Sequence, residues 1–268
     1  MQTNLSMTSS ALPGKIPQQL RFHDSLHESE DPTNHPTRLQ SLAETTHPLG
    51  NLPSAPGSVF AFPPNRDTLG GTAYLLRGVL PDGGNVLIDS PAWNETNQHF
   101  LQQQGGVAWM ILTHRGAIGK VRPLKLTMGC QILVQEQEAY LLPDVETVTF
   151  QQEYDLADGV SALWTPGYSP GSTCIYTPLH GGILFTGRHL LPDRQGNPVP
   201  LRISKTFHWL RQLRSIQYLC DRFSPETLAY LCPGANTGFL RGKHLIPHAY
   251  KHLRGLNLDY LRTVPPGL

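Results

Sequence analysis

The run Val107-Ala-Trp-Met-Ile-Leu-Thr113, followed at once by His114-Arg115-Gly116, decides how this chain is read. It is continuously apolar and ends in a polar turn, the mark of a strand buried on both faces. Upstream, Thr72 to Val79 and Asn85 to Asp89 read as two strands joined through Pro81-Asp82-Gly83-Gly84, a hairpin signal. Glu95 to Gln104 reads as a helix. Downstream, Gln131 to Gln135 is a strand, and further short strands run through Val148, Ala162 to Thr165, Thr173 to Thr177 and Gly182 to Thr186. Trp209, Leu213, Ile216, Cys220 and Phe223 recur at four-three spacing, which places them on one face of a long helix. Thr227 to Leu231 is the last strand, and Ile246 to Leu261 a final helix that tolerates Pro247 in its first turn. Two sheets in the middle with helices on the outer faces follow from this order.

The length of 268 residues suffices for one domain with a sizeable core. Residues 1–56 are rich in Ser, Thr, Pro, Asn and His without hydrophobic periodicity, so they read as a flexible or loosely docked arm, and 57–268 as the folded domain. His23, His27, His35 and His47 in that arm are irregularly spaced and read as solvated residues rather than metal ligands. The first 23 residues hold no Asp or Glu but lack the repeated Arg of a transit peptide. A formal charge of +1 gives no global field that announces a nucleic-acid partner. The four cysteines lie far apart without a CxxC pair, and read as buried thiols in a reducing compartment. No apolar run is long enough to cross a bilayer, and no secretory pattern opens the chain; the expected setting is soluble and cytoplasmic.

Five turns carry a resemblance that composition does not. Asn85-Val-Leu-Ile-Asp89, Ile111-Leu-Thr-His114, Thr165-Pro-Gly-Tyr-Ser-Pro-Gly171, Leu184-Phe-Thr-Gly-Arg188 and Cys232-Pro-Gly-Ala235 resemble, in order and interval, the signature loops of the metallo-β-lactamase superfamily. The resemblance covers roughly residues 59 to 240 and implies an α/β (α+β) fold, a four-layer αββα sandwich whose loops converge at one edge of the paired sheets. Members of the family hold one or two metal ions and an activated water there.

Compared with the family's pattern, most ligand positions are changed. Where its second loop reads T-H-x-H-x-D-H, this chain has Thr113-His114-Arg115-Gly116-Ala117-Ile118-Gly119, which keeps only the first histidine. Tyr168 stands for the third-loop histidine, Arg188 for the bridging aspartate and Ala235 for the last histidine. A catalytic zinc needs about three protein ligands and an open position for water. Arg188 adds a permanent cation where the resemblance places a dication. The expectation is that the zinc or iron site is lost, with no cofactor and no catalytic residue.

A guanidinium can still meet an anion without metal, so Arg188 is the expected clamp for a phosphate or carboxylate. His114, Tyr168 and Asn236 are expected to line the pocket, with Asp89, Arg115, Lys120 and Arg66 as further binding candidates. Arg115, Lys120, Arg122 and Lys125 form a locally basic stretch, with no acidic residue between Glu95 and Glu136. The bland alternatives are an Asp89–Arg188 ion pair that fills the vacated site, and a solvated face for Lys120, Arg122 and Lys125. His244, His248 and His252 recur every four residues, but a basic, solvent-facing helix with Lys243, Lys251 and Arg254 is favoured over a metal site. Ser169 and Ser172 lie in no nucleophile motif. The functional expectation is a non-catalytic protein that binds an anionic ligand or a protein partner at the degenerate cleft. The alternative is a hydrolase of an ester, thioester or phosphoester with a mononuclear or metal-free site.

Overall fold

A computed structural model describes residues 15–22, 57–157 and 159–265. The first sheet begins with β1 (Gln18–Gln19), β2 (Val59–Ala61), β3 (Tyr74–Leu76) and β4 (Val86–Ile88), paired antiparallel in chain order. Helix α1 (Glu95–Gln103) then crosses to β5 (Trp109–Ile111), and α2 (Val121–Met128) to β6 (Gln131–Gln135) and β7 (Val148–Phe150). These last strands run parallel to β4 and to one another, so their C-terminal ends share one edge of the sheet.

The second sheet contains β8 (Glu153–Ala157), β9 (Val160–Trp164), β10 (Thr173–Thr177) and β11 (Ile183–Gly187). A small ribbon of β12 (Leu191–Pro192) and β13 (Pro198–Val199) and helix α3 (Trp209–Arg222) follow. They lead to β14 (Tyr230–Pro233), parallel to β11, and to the edge strand β15 (Ile246–Pro247). Helices α4 (Ala249–Arg254) and α5 (Leu258–Thr263) close the described chain. Among the described residues the sheet orders are β1-β2-β3-β4-β5-β6-β7 and β15-β14-β11-β10-β9-β8.

Alternation along the strands divides the interior into three cores. Tyr74, Leu76, Ile88 and Ile111 face Ile175, Phe185 and Cys232 between the sheets. Their neighbours Leu75, Leu87 and Met110 point the other way, onto Leu101 of α1 and Leu124 of α2. On the far side Leu163, Leu184 and Leu231 pack against Leu213, Ile216 and Leu219 of α3. Successive strand residues point to opposite faces, so strands covered on both sides read as unbroken apolar runs, and four layers result. Burying each large side chain of the α3 stripe contributes about 1.5–3 kcal/mol. All four cysteines are buried and unbridged. No described helix is long and apolar enough to cross a membrane.

The structure corrects one expectation of detail. Residues 246–261 are not one helix: Ile246 and Pro247 pair with Leu231 and Tyr230 in the sheet, and His248 takes a left-handed conformation at φ 53. The chain then breaks again at Gly255, and Asn257 caps α5 by accepting from the Tyr260 amide at 2.9 Å. Arg122 and Lys125 lie on a helix, Val121–Met128, which follows Lys120 at its N-cap and buries Val121 and Leu124. Of the expected arm, 15–22 docks along the first sheet: Leu20 is buried and its amide donates to Val59 O at 2.7 Å. Phe22 reaches the second sheet, stacking on His180 at 4.1 Å and meeting Tyr230 edge-on at 5.0 Å. His23, His27, His35 and His47 lie outside the described residues.

Candidate functional site

Parallel strands deliver their following loops to one edge, where open α/β sheets place their ligand sites. Asp89 follows β4, Thr113 and His114 follow β5, Arg188 follows β11 and Ala235 follows β14, with Pro166–Gly171 joining β9 to β10. Backbone hydrogen bonds tie these loops together. The Thr173 amide donates to Thr113 O at 2.8 Å, Gly234 to Gly187 O at 2.7 Å, and Thr72 to Gly234 O at 2.8 Å. Gly187 has φ 50, and a Cβ there would lie 2.5 Å from Thr113 Oγ1. Glycine is therefore required at the crossing of the second and fourth loops.

Asp89 is buried, and its carboxylate receives two donors from one residue: the Thr113 amide at 2.8 Å and the Thr113 hydroxyl at 2.7 Å. Burial raises its pKa to about 7, against the pull of those hydrogen bonds and the Arg188 charge. His114 is also buried, with Nδ1 at 2.9 Å from Thr113 Oγ1 and Nε2 without a partner among the described residues. With Asp89 ionised, the Thr113 proton is committed to the carboxylate. Oγ1 then accepts from His114 Nδ1–H, and Nε2 carries the lone pair. Burial, then the Arg188 and Arg115 charges, lower the His114 pKa to about 3, so the ring is neutral. Tyr168 is buried beside it, edge-on at 5.2 Å.

Arg188 does not pair with Asp89, contrary to the bland expectation. Its Nη2 donates to the carbonyls of Thr68 at 3.2 Å and Leu69 at 2.6 Å, while Nε is buried without a partner among the described residues. The physical reason is local satisfaction: Thr113 already supplies Asp89, and Leu69 at φ 56 turns two carbonyls toward the guanidinium.

The remaining candidates are peripheral. Arg115 is exposed and donates to Lys205 O at 3.1 Å. Lys120, Asn236 and Arg66 are exposed as well, Arg66 lying in the turn that reaches Arg188. The basic stretch is partly neutralised, because Arg122 pairs with Asp144 at 3.6 Å and Lys125 with Glu146 at 3.5 Å. Sequence reasoning missed Glu138, a buried carboxylate under the third loop that accepts from the Gly171 amide at 3.1 Å. Burial raises its pKa. No signal marked it within the polar run Glu136-Gln-Glu138. The burial of His189, which follows Arg188 in the chain, was missed too: among the described residues neither of its ring nitrogens has a partner.

The donors present do not fit the metal centre that the resemblance implies. His114 Nε2 is the one uncommitted imidazole nitrogen named by the resemblance, both Asp89 oxygens face Thr113 donors, and Arg188 adds positive charge. Among the described residues no three His, Cys, Asp or Glu side chains gather in a metal-holding group.

No protein-family model matches the sequence, and no curated protein matches it. Solved structures do share its architecture. The chain is similar to the B3 metallo-β-lactamase BLEG-1 at 17% identity, over 71% of this chain and 94% of that one, with a TM-score of 0.53. It is similar to a metallo-β-lactamase family protein from Thermus thermophilus at 17% identity, over 78% and 80%, with a TM-score of 0.54. It is also similar to a protein crystallised in a di-iron-bound form at 22% identity, over 65% and 94%, with a TM-score of 0.51. With two helix-covered sheets and five loops meeting at one edge, the chain has the αββα fold of the metallo-β-lactamase superfamily.

Proposed function

We propose that the cleft is a metal-free binding site for an anion, carried by a small molecule or a protein partner, in a non-catalytic protein of this fold. The observation that carries the reading is a pair of buried nitrogens without partners among the described residues, Arg188 Nε and His114 Nε2. A guanidinium N–H is an obligate donor, and leaving a buried donor unsatisfied costs about 1–3 kcal/mol. A monoprotonated phosphate meets both needs, since one oxygen accepts from Arg188 and its O–H donates to the lone pair of His114. Zinc or iron has no part in this reading.

Titration with inorganic phosphate tests it. Phosphate is expected to raise the melting temperature in a saturable way, because it binds the native state. Arg188→Gln should weaken that binding about tenfold or more, equivalent to about 1.4 kcal/mol. Arg188 also ties down the turn at Thr68 and Leu69. His114→Phe therefore serves as a second variant, which removes Nε2 without touching that tie. Unchanged phosphate affinity in both variants overturns the proposal.

One observation favours the hydrolase alternative. His114 is oriented by Thr113 and Asp89 with Nε2 free, as a general base is held. Its pKa of about 3 opposes that role, since an efficient base sits near the working pH. Near-stoichiometric zinc, iron or manganese in purified protein, removed by His114→Ala, would favour the hydrolase.

A further inference from the structure

The flank of the sandwich where the two edge strands lie holds a cavity. Strand β1 is the edge of one sheet and β15 the edge of the other. A cavity of about 560 Å³ opens among residues of both, within the range of about 300–1,000 Å³ typical of small-molecule sites. Its floor is the core itself, since Leu20, Ala229 and Leu245 belong to the apolar cluster between the sheets. Its rim is basic: Arg21, Arg241 and Lys243 are all exposed. Among the described residues none of these three forms an ion pair, and no Asp or Glu lines the cavity. Two adjoining depressions add Arg194 and Lys251, again without an acidic residue. For a chain with a formal charge of +1, this is a local concentration of positive charge.

The backbone presents the rim in a defined shape. Arg241 and His244 take left-handed conformations at φ 50 and 57, and the Tyr74 hydroxyl is shared between Pro233 O at 2.7 Å and His244 O at 3.1 Å. The buried tyrosine of the central core thus anchors the loop that carries Arg241 and Lys243.

We infer that this cavity binds a single amphiphilic anion, a medium-chain carboxylate in chemical class. The alkyl body lies on Leu20, Ala229 and Leu245, and the carboxylate meets Arg21, Arg241 and Lys243. Burying the alkyl chain supplies the affinity, and the cations select the charge of the head. A bare anion gains nothing from the apolar floor, and a neutral alkane derivative gains nothing from the rim.

Calorimetric titration of the full chain with decanoate, decanol and inorganic phosphate, each as a monomer in solution, tests this. Decanoate is expected to bind at one site, at least about tenfold more tightly than decanol. The triple variant Arg21→Gln, Arg241→Gln, Lys243→Gln should weaken decanoate about tenfold or more while leaving the phosphate response of the cleft intact. A circular dichroism melt of the ligand-free triple variant matching wild type establishes that the fold survives; single variants replace it if it does not. Equal binding of decanol, undiminished decanoate affinity in the variants, or no saturable decanoate binding overturns the inference. Co-sedimentation of the chain with phosphatidylglycerol vesicles, without monomeric decanoate binding, would assign the basic rim to a lipid surface and also overturn it.

Discussion

The carboxylate of Asp89 is held by Thr113, through its amide at 2.8 Å and its hydroxyl at 2.7 Å, and not by Arg188. This frees the guanidinium for the Thr68 and Leu69 carbonyls. It also makes Thr113 the link between Asp89 and His114. Thr113→Val keeps the shape but removes the hydroxyl from a buried carboxylate, which should cost about 1–3 kcal/mol. Thr113→Ser keeps the donor and should cost less. Urea unfolding at pH 8, where Asp89 is ionised, checks both. Equal stability of the valine variant and wild type would show that the hydroxyl does not serve the carboxylate.

Stability should depend on pH through groups of opposite sign. Burial lowers the His189 pKa to about 3 from 6.5, so the folded state holds the ring neutral where the unfolded chain protonates it. Its contribution is complete above pH 6.5 and is lost as pH falls toward 3, and His114 acts alike. Asp89 works the other way: its folded pKa of about 7 exceeds 3.8, so its contribution is complete below that lower value and is lost as pH rises through 7. His189→Leu removes one histidine whose nitrogens have no partners among the described residues. The variant should match wild type at pH 8 within about 1 kcal/mol and exceed it at pH 5 by on the order of 1 kcal/mol. An acid limb as steep as that of wild type in urea titrations would contradict the burial of a neutral ring.

What could be read in advance follows from which interactions leave a trace in side-chain order. The doubly buried strand around Met110 and Ile111, the turn at Pro81–Gly84 and the α3 stripe all show as periodicity or turn chemistry. Helix α2 does not, because only Val121 and Leu124 are buried and Pro123 with three nearby cations masks the period. The terminal segment misleads for another reason: Ile246 and Pro247 satisfy a helical pattern but are recruited as a sheet edge. At the site, the loop positions of Asp89, His114, Tyr168 and Arg188 were legible, while the partners of Arg188 were not. Those partners are backbone carbonyls, which every residue offers, and the turn that aims them takes the left-handed conformation at Leu69 as well as at Gly70, which the leucine itself does not announce.

The third loop is held against α3 at a distance that permits no side chain. Gly167 has φ 152, and a Cβ there would lie 2.3 Å from Gln212 Cα. The His208 amide, at the N-terminal cap of α3, donates to Gly167 O at 2.9 Å, so the turn and the helix are fastened as well as close. Gly167→Ala therefore meets both an unfavourable backbone conformation and a collision with main-chain atoms that cannot rotate away. Gly129 separates these two effects: it is also left-handed, at φ 68, but nothing lies within 4 Å of a Cβ built there. Gly129→Ala should cost about 1–2 kcal/mol, the strain alone, and Gly167→Ala about 3 kcal/mol or more. Because Tyr168 follows directly, Gly167→Ala should also disturb the wall beside His114 and weaken phosphate binding, whereas Gly129→Ala should not. Equal destabilisation by the two substitutions in urea would mean that the turn and the helix stand further apart in solution, and the packing that positions Tyr168 would have to be sought elsewhere.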